Sequence, residues 1–219
     1  RMPSKFRFRN LATFHDMENR LIAVRLSAQQ LSDPRFDDPR ALVRWMGAVQ
    51  AQDYKAVRWA VGIRLRTASL RAVDRALERG EILRTHVMRP TWHLVAAEDI
   101  RWMLRLSARR IRSANSSLAR SRGLGIDDGM YSRSNRLIEK MLRGNLCLTK
   151  RQIADRFQAA GIAADTHFMT RYLMRAEADG IVCSGPDRAG QFTYALLEER
   201  VAPVPELTRD ESLGRLARA

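Results

Sequence analysis

A mainly α-helical chain with small β-hairpins, an α+β fold of two tandem units, is what this sequence predicts, on three observations. The dominant hydrophobic period is helical. Two regions about one hundred residues apart each close a helix with glycine and continue into a strand-like run, and the stretch between them is dense in arginine. With 219 residues the chain is long enough for two modules with real cores.

Leu21, Val24, Leu26 and Leu31 begin an amphipathic stretch that Asp33-Pro34 stops, since proline disfavours the helical conformation of the residue before it. Pro39 suits the first turn of a second helix through Leu42, Val43, Trp45 and Met46, closing between Gly47 and Gln52. Tyr54 to Leu65 gives a third. Ser69 caps a fourth, with Leu70, Val73, Ala76 and Leu77 inward and Gly80 as terminator, and Ile82 to Val95 follows as a hairpin. One hundred residues on, Thr149 caps Lys150 to Ala160 and Gly161 breaks that helix. Asp165 caps the next, through Phe168, Tyr172, Leu173 and Ala176, and Gly180 ends it. Ile181 to Ser184 and Gln191 to Leu196 then flank a turn-rich tip from Gly185 to Gly190.

Helix, turn, helix, hairpin is the order of a winged helix, so tandem winged-helix (helix-turn-helix) modules are expected. The expected recognition helices are Ser69 to Arg79 and Asp165 to Asp179, with the hairpins as wings. The implied division is a basic N-terminal extension over 1–20, a first module over 21–96, basic connecting helices over 97–126 and a second module over 127–197. Residues 198–219 read as a linker containing Pro203 and Pro205, then a helix opened by Thr208 that starts a truncated third module.

The formal charge of +15 exceeds what solubility requires and points to a polyanionic partner. Of 39 basic residues only Lys5, Lys55, Lys140 and Lys150 are lysines. Arginine's planar fork suits phosphates and guanine edges, although a GC-rich genome also favours arginine codons. Between Arg101 and Arg122 there are seven arginines and no acid. At about 100° per residue Arg101, Arg105, Arg109 and Arg112 share one helix face, while Ile100, Leu104, Ile111 and Leu118 share the other, which predicts a phosphate-facing stripe on a packed helix.

Cys147 and Cys183 build neither a disulfide framework nor zinc-ligand spacing, and His15, His86 and His167 are scattered. No metal and no cofactor is expected. A reducing cytoplasm fits, no apolar run is long enough to span a bilayer, and the basic residues 1–10 have no apolar signal core behind them. The absence of a dimerisation heptad, with the internal tandem, points to a monomer on one duplex.

Two segments stand apart. Gln50-Ala51-Gln52-Asp53-Tyr54 sets two amides beside a carboxylate, and Leu83-Arg84-Thr85-His86-Val87-Met88-Arg89-Pro90-Thr91-Trp92-His93-Leu94-Val95 alternates apolar with basic or aromatic residues around an Arg-Pro turn. Glutamine is no strong base, but its carbonyl accepts from water while its amide donates to a sugar or phosphate oxygen. Gln50 and Gln52 share a face on an extended backbone and diverge by about 200° on a helix. Asp53 suits an N-cap, Trp92 a core position, and Arg84, Arg89, Thr91 and His93 are candidate nucleic-acid contacts on the wing.

These segments, with Met46-Gly47-Ala48-Val49 before the amides and Ala97-Glu98-Asp99-Ile100-Arg101-Trp102 after the hairpin, resemble the AlkZ-type winged-helix DNA glycosylases from about Leu21 to the C-terminus. The resemblance implies tandem winged helices around a DNA channel and metal-free hydrolysis of the N-glycosidic bond of alkylated or crosslinked bases in double-stranded DNA. The family's pattern of Gln, an apolar residue, then Gln or Asp falls on Gln50, Ala51 and Gln52, which makes the two glutamines the candidate catalytic pair. Pro90 departs from the glycine that often stands before the Thr-aromatic-His run. The competing expectation is a non-catalytic winged-helix DNA-binding protein or transcriptional regulator, in which the same amides only contact the backbone.

Overall fold

Side-chain caps and left-handed glycines set most element boundaries in this chain. The computed structural model describes residues 6–188 and 190–218, and for residues 6–16 the backbone alone. Residues 1–5 of the basic extension and the side chain of His15 lie outside the described residues. Helix α1 (Phe6–Ala28) crosses position 20, so the boundary expected there has no break in the backbone. It stops ahead of Pro34, because Gln30 adopts a φ of 55° and the Leu31 N–H reaches the Leu26 carbonyl. Leu21, Val24 and Leu26 stay exposed along it.

Helix α2 (Pro39–Trp45) starts where the Asp38 carboxylate accepts from the Arg40 and Ala41 N–H groups. Strand β1 (Val49–Gln50) follows, and then α3 (Tyr54–Gly62), whose N-cap is Asp53. α3 is shorter than expected because Leu65 leaves it to bridge Phe36, with Arg66 N–H donating to the Phe36 carbonyl at 2.8 Å. Helix α4 (Leu70–Arg79) is capped by Ser69 and closed by Gly80 at φ 74°. Leu70, expected to face inward, is 48% exposed at its first turn. Strands β2 (Ile82–His86) and β3 (Trp92–Ala96) pair antiparallel from Ile82↔Ala96 to His86↔Trp92, and β1 adds on the far side of β3. The sheet order is β1-β3-β2.

Helix α5 (Ile100–Ser121) and helix α6 (Asp128–Leu142, capped by Asp127) lead to β4 (Leu148–Thr149) and α7 (Lys150–Ala159), which opens on a capping box between Thr149 and Gln152. Helix α8 (Thr166–Ala178), β5 (Val182–Ser184) and β6 (Thr193–Leu196) complete a second sheet of order β4-β6-β5. The two sheets repeat one plan, with a two-residue strand added to a hairpin. Helix α9 (Leu197–Arg200) and α10 (Arg209–Leu216) close the chain.

Each unit has its own core, around Leu42, Val61 and Leu94 in the first and Phe157, Tyr172 and Val182 in the second. A third cluster joins them: Leu83, Val95, Ile100 and Met103 pack with Cys183, Leu197 and Val201. Ile111 of α5 meets Met174 and Ala178 of α8, and Asn115 donates to the Arg171 carbonyl at 2.9 Å. The C-terminal half of helix α8 is therefore covered by α5. Tyr172, Leu173 and Met174 are consecutive and all buried, so this part of the helix is enclosed on several sides, while Thr166 and His167 in its first turn stay exposed. Leu118, expected on the packed face of α5, is 41% exposed.

Candidate functional site

Gln50 closes strand β1, and Gln52 stands two residues on, at the bend that leads into α3. The Ala51 N–H donates to the Trp92 carbonyl at 2.7 Å, and the Ala51 side chain is fully buried. Gln50 and Gln52, on either side of it, are both exposed. The Gln52 Oε1 lies 3.4 Å from the Trp92 N–H. Register across the sheet sets Gln50 opposite His93 and His93 opposite Thr85, so an amide, an imidazole and a hydroxyl form one row.

His93 is 6% exposed. Its Nδ1 lies 2.9 Å from the Thr91 carbonyl and donates to it, which leaves Nε2 as the acceptor when the ring is neutral. Burial pushes its pKa below the usual histidine value, with the nearby Arg89 charge acting in the same direction. Neither the Thr85 nor the Thr91 hydroxyl oxygen has a hydrogen-bond partner among the described residues.

Arg84, expected on the nucleic-acid side of the wing, turns the other way. β2 is buried on both faces, so its alternation does not separate inside from outside. The Arg84 guanidinium donates from Nε and Nη2 to the Ala51 carbonyl at 3.0 and 2.9 Å, and from Nη2 to the Gln52 carbonyl at 3.2 Å. Its Cζ lies 4.4 Å from the Trp92 ring centroid, 5.2 Å from Tyr54 and 5.3 Å from Phe192. Beside it, the Tyr54 hydroxyl donates to Asp187 at 3.1 Å, and the buried His86 Nδ1 pairs with Glu177. The tip of the second hairpin is therefore folded onto the first unit.

Arg89 alone of the wing candidates is exposed, at a tip where Met88 takes a φ of 63°. The arginine stripe of α5 exists but is partly covered. Arg101 donates to the Val201 carbonyl at 3.2 Å, Arg105 pairs with Glu206 at 3.1 Å and Arg112 with Asp179 at 2.5 Å. These three border a cleft of about 540 Å³ between α5 and the segment after α9, while Arg109 is exposed. Three of the four stripe arginines are thus engaged by that segment or by the end of α8, while Arg105 and Arg112 keep 42% and 44% of their side chains exposed. On α4, Arg71, Arg75 and Arg79 form an exposed row at helical spacing.

Among the described residues no group of three or more His, Cys, Asp or Glu is placed to hold a metal ion, and no helix is long and apolar enough to cross a membrane. Cys183 is buried and its thiol pKa is pushed up to about 12 by that burial, so it is no nucleophile.

The family model of the AlkZ-like DNA glycosylases matches residues 43–219. The chain belongs to the AlkZ-like family. The solved structure of the Streptomyces sahachiroi DNA glycosylase AlkZ is similar in fold, with a TM-score of 0.68 at 21% identity, covering 89% of this chain and 54% of that one. The AlkZ-like chain thus spans about half the length of that protein. No curated protein matches it. The matched region of this AlkZ-like chain includes both glutamines, both sheets and α5.

Proposed function

We propose that the protein is a monofunctional DNA glycosylase that binds double-stranded DNA as a monomer in the cytoplasm and hydrolyses the N-glycosidic bond of alkylated or crosslinked bases. The observation that carries this reading is the pair of exposed amides, Gln50 at the end of β1 opposite the buried His93 and Gln52 at the bend that follows. An N7-alkylated purine carries a fixed positive charge that weakens its bond to the sugar, so departure needs no strong base. The Gln50 and Gln52 carbonyl oxygens accept from a water held beneath C1′, their amide groups donate to sugar or phosphate oxygens, and the His93 Nε2 orders the same water. The C1′–N9 bond breaks as the water oxygen bonds to C1′. The base leaves neutral, and the water proton passes to solvent.

On the DNA side, Arg89 and Arg109 contact phosphates, with the α4 row as a further basic surface. Thr91 acts through its carbonyl, which fixes the His93 ring. The test is release of N7-methylguanine and of abasic sites from methylated and crosslinked duplexes. Purified protein should release base, and Gln52→Ala should abolish release while binding to undamaged duplex persists. Absence of release together with strong preference for one undamaged sequence would establish a regulator instead.

A further inference from the structure

We propose that Arg84 is the positioning residue of the Gln50–Gln52 segment, and that through Arg84 the hairpin tip of the second unit sets the geometry at which the glutamines hold water. This rests on the reading of the two glutamines given above. The carbonyls that Arg84 bonds belong to Ala51 and Gln52. They are the two peptide groups flanking the Gln52 α-carbon, so one rigid guanidinium fixes both backbone dihedrals from which the Gln52 side chain projects.

The guanidinium is itself held from three directions. Trp92 comes from β3, Tyr54 from the start of α3 and Phe192 from the tip of the β5–β6 hairpin. Tyr54, Trp92 and Phe192 also meet edge-on, Tyr54–Phe192 at 6.3 Å and Trp92–Phe192 at 5.5 Å, so the cage spans the two units. Behind it the Arg84 N–H donates to the Ser184 hydroxyl at 2.8 Å, which ties β2 to β5. With 9% exposure, Arg84 has no face left for a phosphate. Lysine cannot reproduce the arrangement, because a point donor does not bond two carbonyls in fixed register.

The experiment uses the whole chain carrying Arg84→Lys, Gln52→Ala, both together, or Phe192→Leu, each checked by circular dichroism and thermal melting. Rates of N7-methylguanine release are measured with the affinity for undamaged duplex and its salt slope. Arg84→Lys should lower kcat by roughly ten- to a hundredfold, the scale of an ångström misplacement, with KM and salt slope unchanged. Since Gln52→Ala alone abolishes release, the double variant reports binding only, and its affinity for undamaged duplex and salt slope should match those of Gln52→Ala. Phe192→Leu, which leaves Arg84 in place, should lower kcat by a smaller factor at constant KM, and it decides the matter if Arg84→Lys does not fold. Unchanged kcat in a folded Arg84→Lys or Phe192→Leu protein, with Gln52→Ala inactive, overturns the positioning role and leaves the glutamine reading intact. Weaker DNA binding with a shallower salt slope in Arg84→Lys overturns it in favour of a phosphate contact. Release unaffected by Gln52→Ala overturns the glutamine reading and this inference with it.

Discussion

Replacing His86 with leucine strands Glu177 inside the protein. His86 is 5% exposed, Glu177 is fully buried, and the Glu177 Oε1 has no hydrogen-bond partner among the described residues, so the imidazole is the contact that offsets the carboxyl's desolvation. Losing one member of a buried pair costs about 3–5 kcal/mol. The His86 ring also sits 4.0 Å from the Trp92 centroid, and that contact contributes about 0.5–1.5 kcal/mol more. At about 2–4 °C per kcal/mol for a chain of this length, Tm should fall by about 7–26 °C. Urea unfolding followed by circular dichroism measures the change. The partner variant Glu177→Leu should cost less, because imidazole is the cheaper group to leave unpaired. The double variant should be more stable than His86→Leu alone, since a buried pair exchanged for apolar groups is often neutral. A His86→Leu protein within about 1 kcal/mol of the parent, or a double variant as unstable as the summed singles, would refute a buried, coupled pair.

Three further outcomes are expected. The folded His93 pKa is depressed, so the stability this group leaves intact above its ordinary value of 6.5 is lost as the pH falls through 6.5 toward the folded value; His93→Gln should flatten the Tm profile between pH 7 and 5. A thiol reagent should label Cys147 in the native protein and reach Cys183, its pKa pushed up to about 12, only on unfolding, and native labelling of both would contradict the shared core. Arg89→Ala and Arg109→Ala should each reduce the salt slope of duplex binding by about 1, whereas Arg112→Ala, removed from Asp179 and not from phosphate, should leave it unchanged.

What was legible in the sequence was local. Pro39, Ser69, Thr149, Asp165 and Thr208 start helices, and Gly80 and Gly180 close them at φ 74° and 72°, because a cap or a left-handed turn is decided within four residues. Strands β1 and β4 were not legible, since two residues become a strand only by pairing with a partner more than forty positions away. Helix α6 was missed although Asp127 followed by Tyr131, Ser134, Ile138 and Leu142 carried a usable signal. For the site, the extended-or-helical alternative at Gln50 and Gln52 was legible, and the structure divides it, with Gln50 on β1 and Gln52 at a bend before α3. The direction of Arg84 was not legible, because its acceptors lie thirty-two and thirty-three residues upstream and part of its cage one hundred and eight downstream. The same limit hid the covering of Arg101, Arg105 and Arg112, whose partners all lie past Ala178.

The repeat itself explains why charge was the poorest guide. Two units with the same sheet order invite the expectation that both hairpins do the same work, yet only the second tip is docked on the other unit. The first tip, around Met88 and Arg89, keeps an arginine exposed. The second keeps Arg188 exposed but sends Asp187 to the Tyr54 hydroxyl and Phe192 against Trp92, so part of it is committed to the first unit. Because Cys183, Leu197 and Val201 share a core with Leu83, Val95 and Ile100, separating the units would expose apolar surface on both, and the chain should unfold in one transition. A single cooperative core is also what allows a side chain near position 190 to act on the backbone at position 52. Were the second unit instead an independent DNA-binding module, Phe192 would be free to vary without consequence for base release, and unfolding would show two steps.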